Sequence, residues 1–453
     1  MSKVKIAALA VVVVSLGYLL WTWDLDAPRI DWRDTPTVVG KTGRISIHVS
    51  DEGKGLREVE VAALQDGKRQ VLLSERYAGS GWPWQDRTRR RSVALALDTA
   101  DMPEIREGEF DLEVRVSDQP NLLLFSRSLT DAFKIRLDTT PPTLQVLTPN
   151  HFVRQGGAES IVYRVGEPAA ESGVRVGEDV FVGFPLPERG PDAYVCLFGM
   201  AWNQPIEAEM FLFATDEAGN RSETAFRKEI IPVRFRKRSI QVSDAFIEKV
   251  AKDILPNTDQ VTRGDTPVET YVAINSRLRE INHRRIAEIA KMSAPRLLWK
   301  EPFLQLAGSQ VEASFADQRD YYHQGKLIDQ QTHQGFDLAS TARTPVECAN
   351  DGVVLWAGYL GIYGNCVLVD HGLGLISLYG HLSSIEVAAG QQVRRRQSLG
   401  RTGETGLAGG DHLHFSMVLQ GVQTNPLEWW DAQWVQRHIL SRVGPAPEPP
   451  AGQ

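Results

Sequence analysis

The sequence predicts a multidomain, mainly β protein with a transmembrane helix at its N-terminus. A chain of 453 residues is too long for one ordinary hydrophobic core, so several domains are expected. Short runs that alternate apolar and polar residues, broken by Gly, Pro and Asp turns, fill most of the chain and are typical of β structure. The exception, residues 237–300, has helical periodicity, and we interpret it as a linker between β domains.

The N-terminus has the pattern of a membrane anchor. Lys3 and Lys5 precede an unbroken apolar run, residues 6–21, which as a helix would be about 24 Å long and so nearly spans a hydrocarbon core. Trp21 and Trp23 lie at its far end, where interfacial aromatic residues are expected. The basic flank should stay in the cytoplasm, so the rest of the chain is exported. A cleaved signal peptide is the alternative, but the stretch YLLWTWDLD lacks the small residues of a cleavage site.

The next part of the chain is predicted to form two β-sandwich modules with similar sequence patterns, at residues 24–138 and 139–236. DLEVRVSD, ending at Asp118, matches EMFLFATD, ending at Asp216, and DTTPP at Asp138 stands where a second module would open. These phrases resemble those of bacterial immunoglobulin-like modules. The resemblance implies spacer or binding modules, which are candidates for contacting cell-envelope proteins. The net charge of −7 argues against a nucleic-acid partner, because such proteins usually present a basic face.

Two helices are predicted in the linker. Ser243 can cap a helix that begins at Asp244 and stops before Pro256, and a second helix should begin at Pro267 and run to about Met292. An amphipathic helix must pack its apolar face on something. We expect these helices to pack on the sandwich modules as a rigid spacer. The alternative is that they cover the substrate groove and restrain the enzyme.

Two histidine motifs in the last third of the chain point to a metal site. HQGFD places His333 and Asp337 four residues apart, and HLH places His412 and His414 two apart. In a strand, residues separated by two or four share a face, whereas a helix does not bring i and i+2 together. A strand is therefore the only regular structure that would place both pairs of side chains on one face.

The donor set suits catalytic zinc, which takes three protein ligands and keeps one position open for water. His333, Asp337 and one histidine of HLH fit that count. The other histidine of HLH, together with His381 of LYGHL, is free for proton transfer beside the water. The sequence contains no HExxH, so a histidine must act as general base.

These motifs, in the order THQGFDLAS, SLYGHLSSI and GGDHLHF, resemble those of the lysostaphin-type (LytM-like) zinc metalloendopeptidases, which hydrolyse peptidoglycan cross-links. The resemblance covers about the last third of the chain. It implies one zinc per chain with His333, Asp337 and His414 as ligands, and His381 and His412 as the two catalytic histidines.

Some neighbouring positions differ from the family or stand outside its site. Ser416 stands where the family often has Glu, and Arg396-Gln397 where Lys-Gly is common. Neither is expected to touch a ligand. His371 of VDHG is assigned a structural role. Cys348 and Cys366 lie on neighbouring predicted strands. They either form a disulfide in an oxidising compartment or, as we favour, remain buried thiols.

The function expected from these features is that of a membrane-anchored zinc metalloendopeptidase that hydrolyses peptidoglycan peptide cross-links with a zinc-bound water as nucleophile. The protein would be single-pass in the inner (cytoplasmic) membrane, with its catalytic domain on the periplasmic side, acting on peptidoglycan stem peptides. In such an envelope the D-alanyl-diaminopimelate bond is the expected target. The alternatives are a non-catalytic activator of other wall hydrolases, whose family members have lost zinc ligands that this chain keeps, and a wall-binding structural protein.

The predicted segments are therefore six. They are a cytoplasmic tip with the transmembrane anchor (1–23), two β-sandwich modules (24–138 and 139–236), a helical linker (237–300), an antiparallel β peptidase domain (301–437) and a Pro-rich tail (438–453).

Overall fold

The computed structural model describes residues 9, 11–13, 15, 26–78, 88–120 and 126–444. The chain divides into two compact units, which are Met1–Pro142 with Thr215–Arg221, and Thr143–Ala214 with Ser222–Gln453. Strands are far more numerous than helices throughout the described residues, which confirms the prediction of a mainly β protein.

Most of the predicted transmembrane helix, residues 6–21, lies outside the described residues. The few positions of it that are described, residues 9, 11–13 and 15, are helical. Within the part of the chain that the structure describes, no helix is long and apolar enough to cross a membrane.

The first unit contains two sheets whose inner faces share one core. Its strands are β1 (Arg29–Asp31), β2 (Val38–Val39), β3 (Thr42–Ser50), β4 (Leu56–Gln65), β5 (Lys68–Arg76), β6 (Arg90–Asp98), β7 (Gly108–Asp118) and β8 (Ser128–Leu137). One sheet has the order β2-β8-β7-β4-β5 and the other the order β1-β3-β6. In β7 every second residue is buried, from Phe110 to Val116, so the two-residue apolar period of the sequence becomes the inner face of the sheet.

The next set of strands forms two four-stranded sheets and a parallel pair. These strands are β9 (Leu144–Val146), β10 (His151–Arg154), β11 (Ala158–Val165), β12 (Ala169–Val176), β13 (Asp179–Val182), β14 (Phe184–Pro185), β15 (Ala193–Gly199), β16 (Met210–Asp216), β17 (Arg221–Thr224) and β18 (Lys228–Ile231). The sheet orders are β14-β15-β11-β9 and β13-β12-β16-β17, and β10 pairs with β18. The core of this region is continuous with that of the C-terminal region, for example through Phe198 and Trp429.

A buried carboxyl group, that of Glu428, lies where these two regions meet. The backbone N–H of Ala158 donates a hydrogen bond to its Oε2 at 2.7 Å. Its Oε1 has no hydrogen-bond partner among the described residues, and the nearest guanidinium nitrogen, of Arg154, is 4.0 Å away. Burial therefore raises the pKa of Glu428 to about 8.

We expect Glu428→Gln to stabilise the protein at pH 8 and to have little effect at pH 5. A carboxyl group whose folded pKa lies above its unfolded pKa binds its proton more tightly in the folded state, so stability falls as the pH rises between about 4.5 and about 8. The free energy of unfolding, measured with denaturant at both pH values, checks this. The exposed Glu188→Gln is the control. An equal effect of Glu428→Gln at both pH values would contradict the assignment.

The helices of residues 244–290 begin at the two predicted positions. They are α1 (Asp244–Ile254), α2 (Pro267–Val272), a π-helical segment (Ala273–Leu278) and α3 (Arg279–Ala290). The N–H of Phe246 donates to Ser243 Oγ at 3.2 Å, and Thr266 with Glu269 forms a capping box at the second start. Both predicted helix starts are confirmed, and the second helix ends two residues before Met292.

The packing partner of these helices differs from our expectation. Their buried apolar face, including Ile254, Ile274 and Leu278, packs on apolar residues of the C-terminal region such as Ile362 and Leu378. None of the residues in this apolar cluster comes from the predicted sandwich modules. The spacer interpretation is therefore wrong about the surface that the helices cover.

The C-terminal region is built on an antiparallel sheet, as predicted. Its strands are β19 (Lys237–Gln241), β20 (Gln310–Ala313), β21 (Asp317–His323), β22 (Lys326–His333), β23 (Phe336–Ala339), β24 (Pro345–Glu347), β25 (Gly352–Tyr359), β26 (Asn365–Asp370), β27 (Leu375–Leu382), β28 (Ser384–Ile385), β29 (Gln392–Val393), β30 (Ser398–Arg401), β31 (Leu413–Leu419) and β32 (Val422–Thr424). The main sheet has the order β20-β23-β31-β27-β26-β25-β29, and smaller sheets have the orders β19-β21-β22 and β24-β30-β28.

Ordered structure continues past residue 437, where the predicted tail begins. The closing helical segments are α4 (Pro426–Trp430), α5 (Ala432–Val435), a π-helical segment (Gln436–Leu440) and α6 (Ser441–Val443). Ile439 and Val443 are buried in the core, so residues 438–443 belong to the packed domain. Residues 445–453 lie outside the described residues.

The three cysteines are buried and free. Cys348 lies just after β24 and Cys366 lies on β26. Of the two alternatives that the sequence left open, the structure has the buried thiols.

Candidate metal centre

Three neighbouring strands supply the metal-competent side chains. His333 is the last residue of β22, Asp337 is the second residue of β23, and His414 lies on β31 directly opposite Asp337. His333 and Asp337 are therefore not on one strand, and our single-strand interpretation of HQGFD is wrong. The chain turns between β22 and β23, and that turn brings the two side chains together.

Gly335 makes the turn between these strands compatible with the site. A Cβ at this position would lie 2.5 Å from Ser416 Oγ and 2.7 Å from Nε2 of His414. Only a glycine lets the backbone pass so close to the ring of His414. This explains the glycine of HQGFD, which the sequence alone did not.

The three ligand atoms form a compact triangle. His333 Nε2 lies 2.9 Å from Asp337 Oδ1 and 3.0 Å from His414 Nδ1, and His414 Nδ1 lies 3.0 Å from Asp337 Oδ1. Both histidines are buried. These residues are one of the groups in the described chain whose atoms are close enough together to hold one metal ion.

Hydrogen bonds on the outer side of each ring fix which nitrogen faces the triangle. His333 Nδ1–H donates to the carbonyl of Ser314 at 3.0 Å. Ser416 Oγ–H donates to the carbonyl of Gln334 at 2.7 Å, so this hydroxyl accepts from His414 Nε2–H at 2.9 Å. His333 Nε2 and His414 Nδ1 therefore present lone pairs to each other.

This donor set fits a zinc ion. Two nitrogen lone pairs and a carboxylate oxygen within 3.0 Å repel one another unless a proton or cation lies among them. Zinc favours two histidines and a carboxylate at about 2.0–2.2 Å, and tetrahedral geometry then separates the ligand atoms by roughly 3.3 Å. The observed triangle is close to that size.

The other two predicted site residues lie beside the triangle. His381, on β27, donates from Nδ1–H to the carbonyl of Thr405 at 2.8 Å, and His412 donates from Nδ1–H to the carbonyl of Gly410 at 2.8 Å. Their ring centres are 4.8 Å apart, and His412 Nε2 lies 3.5 Å from Asp337 Oδ1. His381 has a left-handed backbone, φ 62°, which costs a non-glycine residue roughly 1–3 kcal/mol and is enriched at functional sites.

Burial sets the protonation of the site. Desolvation lowers the pKa of His414 to about 4 and lowers the pKa values of His333 and His381 as well. Burial also opposes ionisation of Asp337, but the charge and hydrogen bond of His333 hold the pKa of this carboxyl well below its usual range. For His412, desolvation is outweighed by the hydrogen bond and charge of Asp337, which raise its pKa. The neutral imidazoles of His333 and His414, beside the Asp337 carboxylate, are the forms that bind a metal.

Arg319 is a site residue that our sequence analysis missed. Its Nη2 donates to Asp337 Oδ2 at 3.1 Å, which leaves Oδ1 for the triangle. The turn at Gln324 and Gly325 would by itself pair Arg319 with Gln330, on the face away from His333. A register shift between Tyr321 and Tyr322 places Arg319 opposite Gln331 instead, two residues from His333 and on the same face, and the sequence does not reveal that shift.

Ser416 was also misjudged, because we expected it not to touch a ligand, whereas its hydroxyl accepts a hydrogen bond from His414.

We expect Ser416→Ala to weaken zinc binding about tenfold to a hundredfold, since hydrogen-bond partners of metal-binding histidines fix the orientation and tautomer of the ring. Zinc affinity measured by competition with a chelator checks this. Ser377→Ala is the matched control, because Ser377 holds the buried His371 in the same way, with Oγ 2.7 Å from Nε2. Unchanged zinc affinity in Ser416→Ala would contradict the orienting role.

The metal pocket is small, with a volume of about 230 Å³. Phe246, Tyr271 and Arg279, all from the helical section, line it together with the histidines. The helices therefore border the candidate site. That they restrain access to it remains a prediction.

Part of the C-terminal region is similar to a recognised family. Residues 331–426 match peptidase family M23. Over 95 residues the chain is 40% identical to the DD-carboxypeptidase/endopeptidase Mpg of Neisseria meningitidis, covering 21% of this chain and 22% of that protein. Over 96 residues it is 38% identical to the peptidoglycan DD-endopeptidase ShyA of Vibrio cholerae, again covering 21% and 22%.

A further curated relative and a solved structure are also similar to part of this chain. The murein hydrolase activator EnvC of Escherichia coli is 38% identical over 96 residues, covering 21% of this chain and 23% of that protein. A putative peptidase M23 from Pseudomonas aeruginosa, 21% identical, covers 61% of this chain and 95% of its own, with a TM-score of 0.39. The chain thus spans less than a quarter of these curated relatives. The matches confirm the lysostaphin-type resemblance of the C-terminal domain.

Proposed function

We propose that this chain, whose residues 331–426 carry a peptidase M23 domain, is a zinc metalloendopeptidase that hydrolyses peptide cross-links of bacterial peptidoglycan. The observation that carries the proposal is the convergence of four histidine nitrogens and one carboxylate on a single pocket. On each imidazole the outer nitrogen is bonded to an oxygen of the protein. The inward-facing nitrogens of His333, His381 and His414 are therefore acceptors, whereas Nε2 of His412 lies 3.5 Å from Asp337 Oδ1, which favours its protonated form.

In this proposal each residue has a separate task. His333, Asp337 and His414 would hold the metal, which when bound would supply Lewis acidity to activate water and to polarise the scissile carbonyl. His381 and His412 are outside the triangle, and both line the same pocket. Either Nε2 takes the proton of the attacking water, and the imidazolium so formed gives it to the leaving amine. The carbonyls of Thr405 and Gly410 hold these rings in place throughout.

The substrate and location are supported by the relatives and by the N-terminus. Mpg is named a DD-carboxypeptidase/endopeptidase and ShyA a peptidoglycan DD-endopeptidase, and each matches 21% of this chain. The basic and apolar pattern of residues 3–21 supports a single-pass anchor in the cytoplasmic membrane, with the peptidase domain on the outer side. A D-alanyl-diaminopimelate cross-link is the bond that this arrangement would reach.

A second candidate function is that of an activator of other wall hydrolases. The similarity to EnvC favours it. All five residues of the metal centre are present in this chain, however, and they converge. An activator has no need of that arrangement, so we favour the enzyme.

Digestion of a purified cross-linked muropeptide dimer tests the proposed function. The zinc-loaded full chain should convert the dimer into two fragments whose masses sum to the dimer plus one water, as read by mass spectrometry. If the dimer is untouched while hydrolysis by an added wall amidase is stimulated, the activator is the correct function.

A further inference from the structure

A second cleft opens beside the metal pocket. It has a volume of about 890 Å³, and Arg279 and Arg319 line both cavities. The metal pocket, at about 230 Å³, is below the roughly 300–1,000 Å³ that usually encloses a ligand. It can enclose the scissile bond but not the peptide on either side of it. The adjoining cleft is a place where the rest of a substrate can lie.

The charge of this cleft is opposite to that of the chain as a whole. The chain carries a net charge of −7. The cleft is lined by four cationic side chains, Lys237, Arg277, Arg279 and Arg319, and by two acidic ones, Glu280 and Asp320. A concave surface of this charge attracts anions and raises their local concentration.

Three of the cationic groups have no carboxylate partner. Arg319 is paired with Asp337, but among the described residues Lys237, Arg277 and Arg279 form no ion pair. The acidic groups of the lining are partly engaged, since Asp320 accepts from Gln330 Nε2 at 2.7 Å. The unpaired cations are therefore available to an anionic ligand.

Arg279 is held in a fixed orientation at the junction of the two cavities. Its Nε donates to the carbonyl of Asn275 at 2.8 Å, and its Nη2 donates to Asn275 Oδ1 at 2.7 Å. Asn275 is itself fixed by donating from Nδ2 to Asp329 Oδ2 at 2.7 Å. The remaining N–H groups of the half-buried guanidinium are left for a ligand. A guanidinium fixed in this way loses little conformational entropy when it binds a carboxylate.

We propose that this cleft binds the free carboxylates of an acidic peptide substrate, with Arg279 as the specificity-determining residue. The inference rests on the proposed function and adds to it a preference for acidic over neutral or amidated cross-linked peptides. Four glutamines line the cleft, at positions 318, 330, 331 and 334. The Nε2 groups of Gln330 and Gln331 donate to Asp320 and Ser276, so Gln318 and Gln334 are the ones that supply amide groups for the peptide backbone.

Binding to the metal-free full chain tests the cleft without turnover. The two probes are a cross-linked peptide dimer with free carboxylates and the same dimer with those carboxylates amidated. The wild type should bind the acidic dimer about tenfold or more tightly than the amidated one, because charge-assisted hydrogen bonds are the stronger kind. Arg279→Gln should remove most of that preference. Lys291→Gln, which removes an exposed charge beyond the end of α3 and outside the cleft, should retain it.

The double variant of Lys237→Gln and Arg277→Gln should reduce the preference several-fold, and it removes two exposed side chains that make no ion pair. It decides the matter if Arg279→Gln does not fold. Equal binding of the two probes by the wild type overturns the inference. So does an undiminished preference for the acidic dimer in Arg279→Gln. If Arg279→Gln does not fold, an undiminished preference in the double variant overturns it. If the zinc-loaded protein cleaves both dimers while the metal-free protein binds them equally, the assignment of the cleft is wrong and the proposed function stands. If the metal-free protein binds the acidic dimer selectively and the zinc-loaded protein cleaves neither dimer, the assignment of the cleft stands and the proposed function is wrong.

Discussion

Replacing His414 with alanine should remove both the metal and the hydrolytic activity. His414 Nδ1 is one corner of a triangle with edges of 2.9–3.0 Å, and two ligands alone hold zinc far more weakly than three. Metal content by elemental analysis and hydrolysis of purified peptidoglycan measure the two losses. Activity should fall to background.

His48→Ala is the control for this variant. His48 lies on β3 in the first unit, half-exposed, and is not among the residues that line the metal pocket. It should keep both zinc and activity. Retention of zinc and full activity by His414→Ala would contradict the proposed ligand set.

Replacing His381 or His412 with alanine should leave the metal in place and abolish turnover. Neither ring belongs to the ligand triangle, but the Nε2 of each faces the same pocket. A general acid or base contributes about a hundredfold to ten-thousandfold to the rate, so kcat should fall by at least about a hundredfold. Zinc content measured beside kcat separates this result from that of His414→Ala.

The assignment within HLH depends on this comparison. In the structure Nδ1 of His414 is 3.0 Å from Asp337 Oδ1, whereas Nε2 of His412 is 3.5 Å away. If His412→Ala loses zinc while His414→Ala retains it, the roles of the two histidines are reversed.

The motifs predicted the site better than they predicted the strands. The spacing of His333, Asp337, His412 and His414 identified side chains that do converge, although the first two lie on different strands. The convergence depends on a turn at Gly335 that alternation along a strand does not encode. The strand periodicity therefore predicted correctly that the side chains of His333 and Asp337 are neighbours, but for an incorrect structural reason.

Contacts between distant segments could not be predicted from the sequence. The cap at Ser243 and the helix start at Pro267 rest on local chemistry, and both appear as expected. The surface that the helices cover is set by tertiary packing. An apolar helix face indicates that the helix packs on another element, but it does not identify that element. Ser416 and Arg319 were missed for the same reason, since each acts on a residue of another strand or across a turn.

A zinc titration of the metal-free full chain tests the central claim most directly. Protein stripped with a chelator should not hydrolyse the cross-linked muropeptide dimer, and activity should rise in proportion to added zinc until about one ion is bound per chain. Full activity of the stripped protein, with no zinc detectable by elemental analysis, would contradict the account.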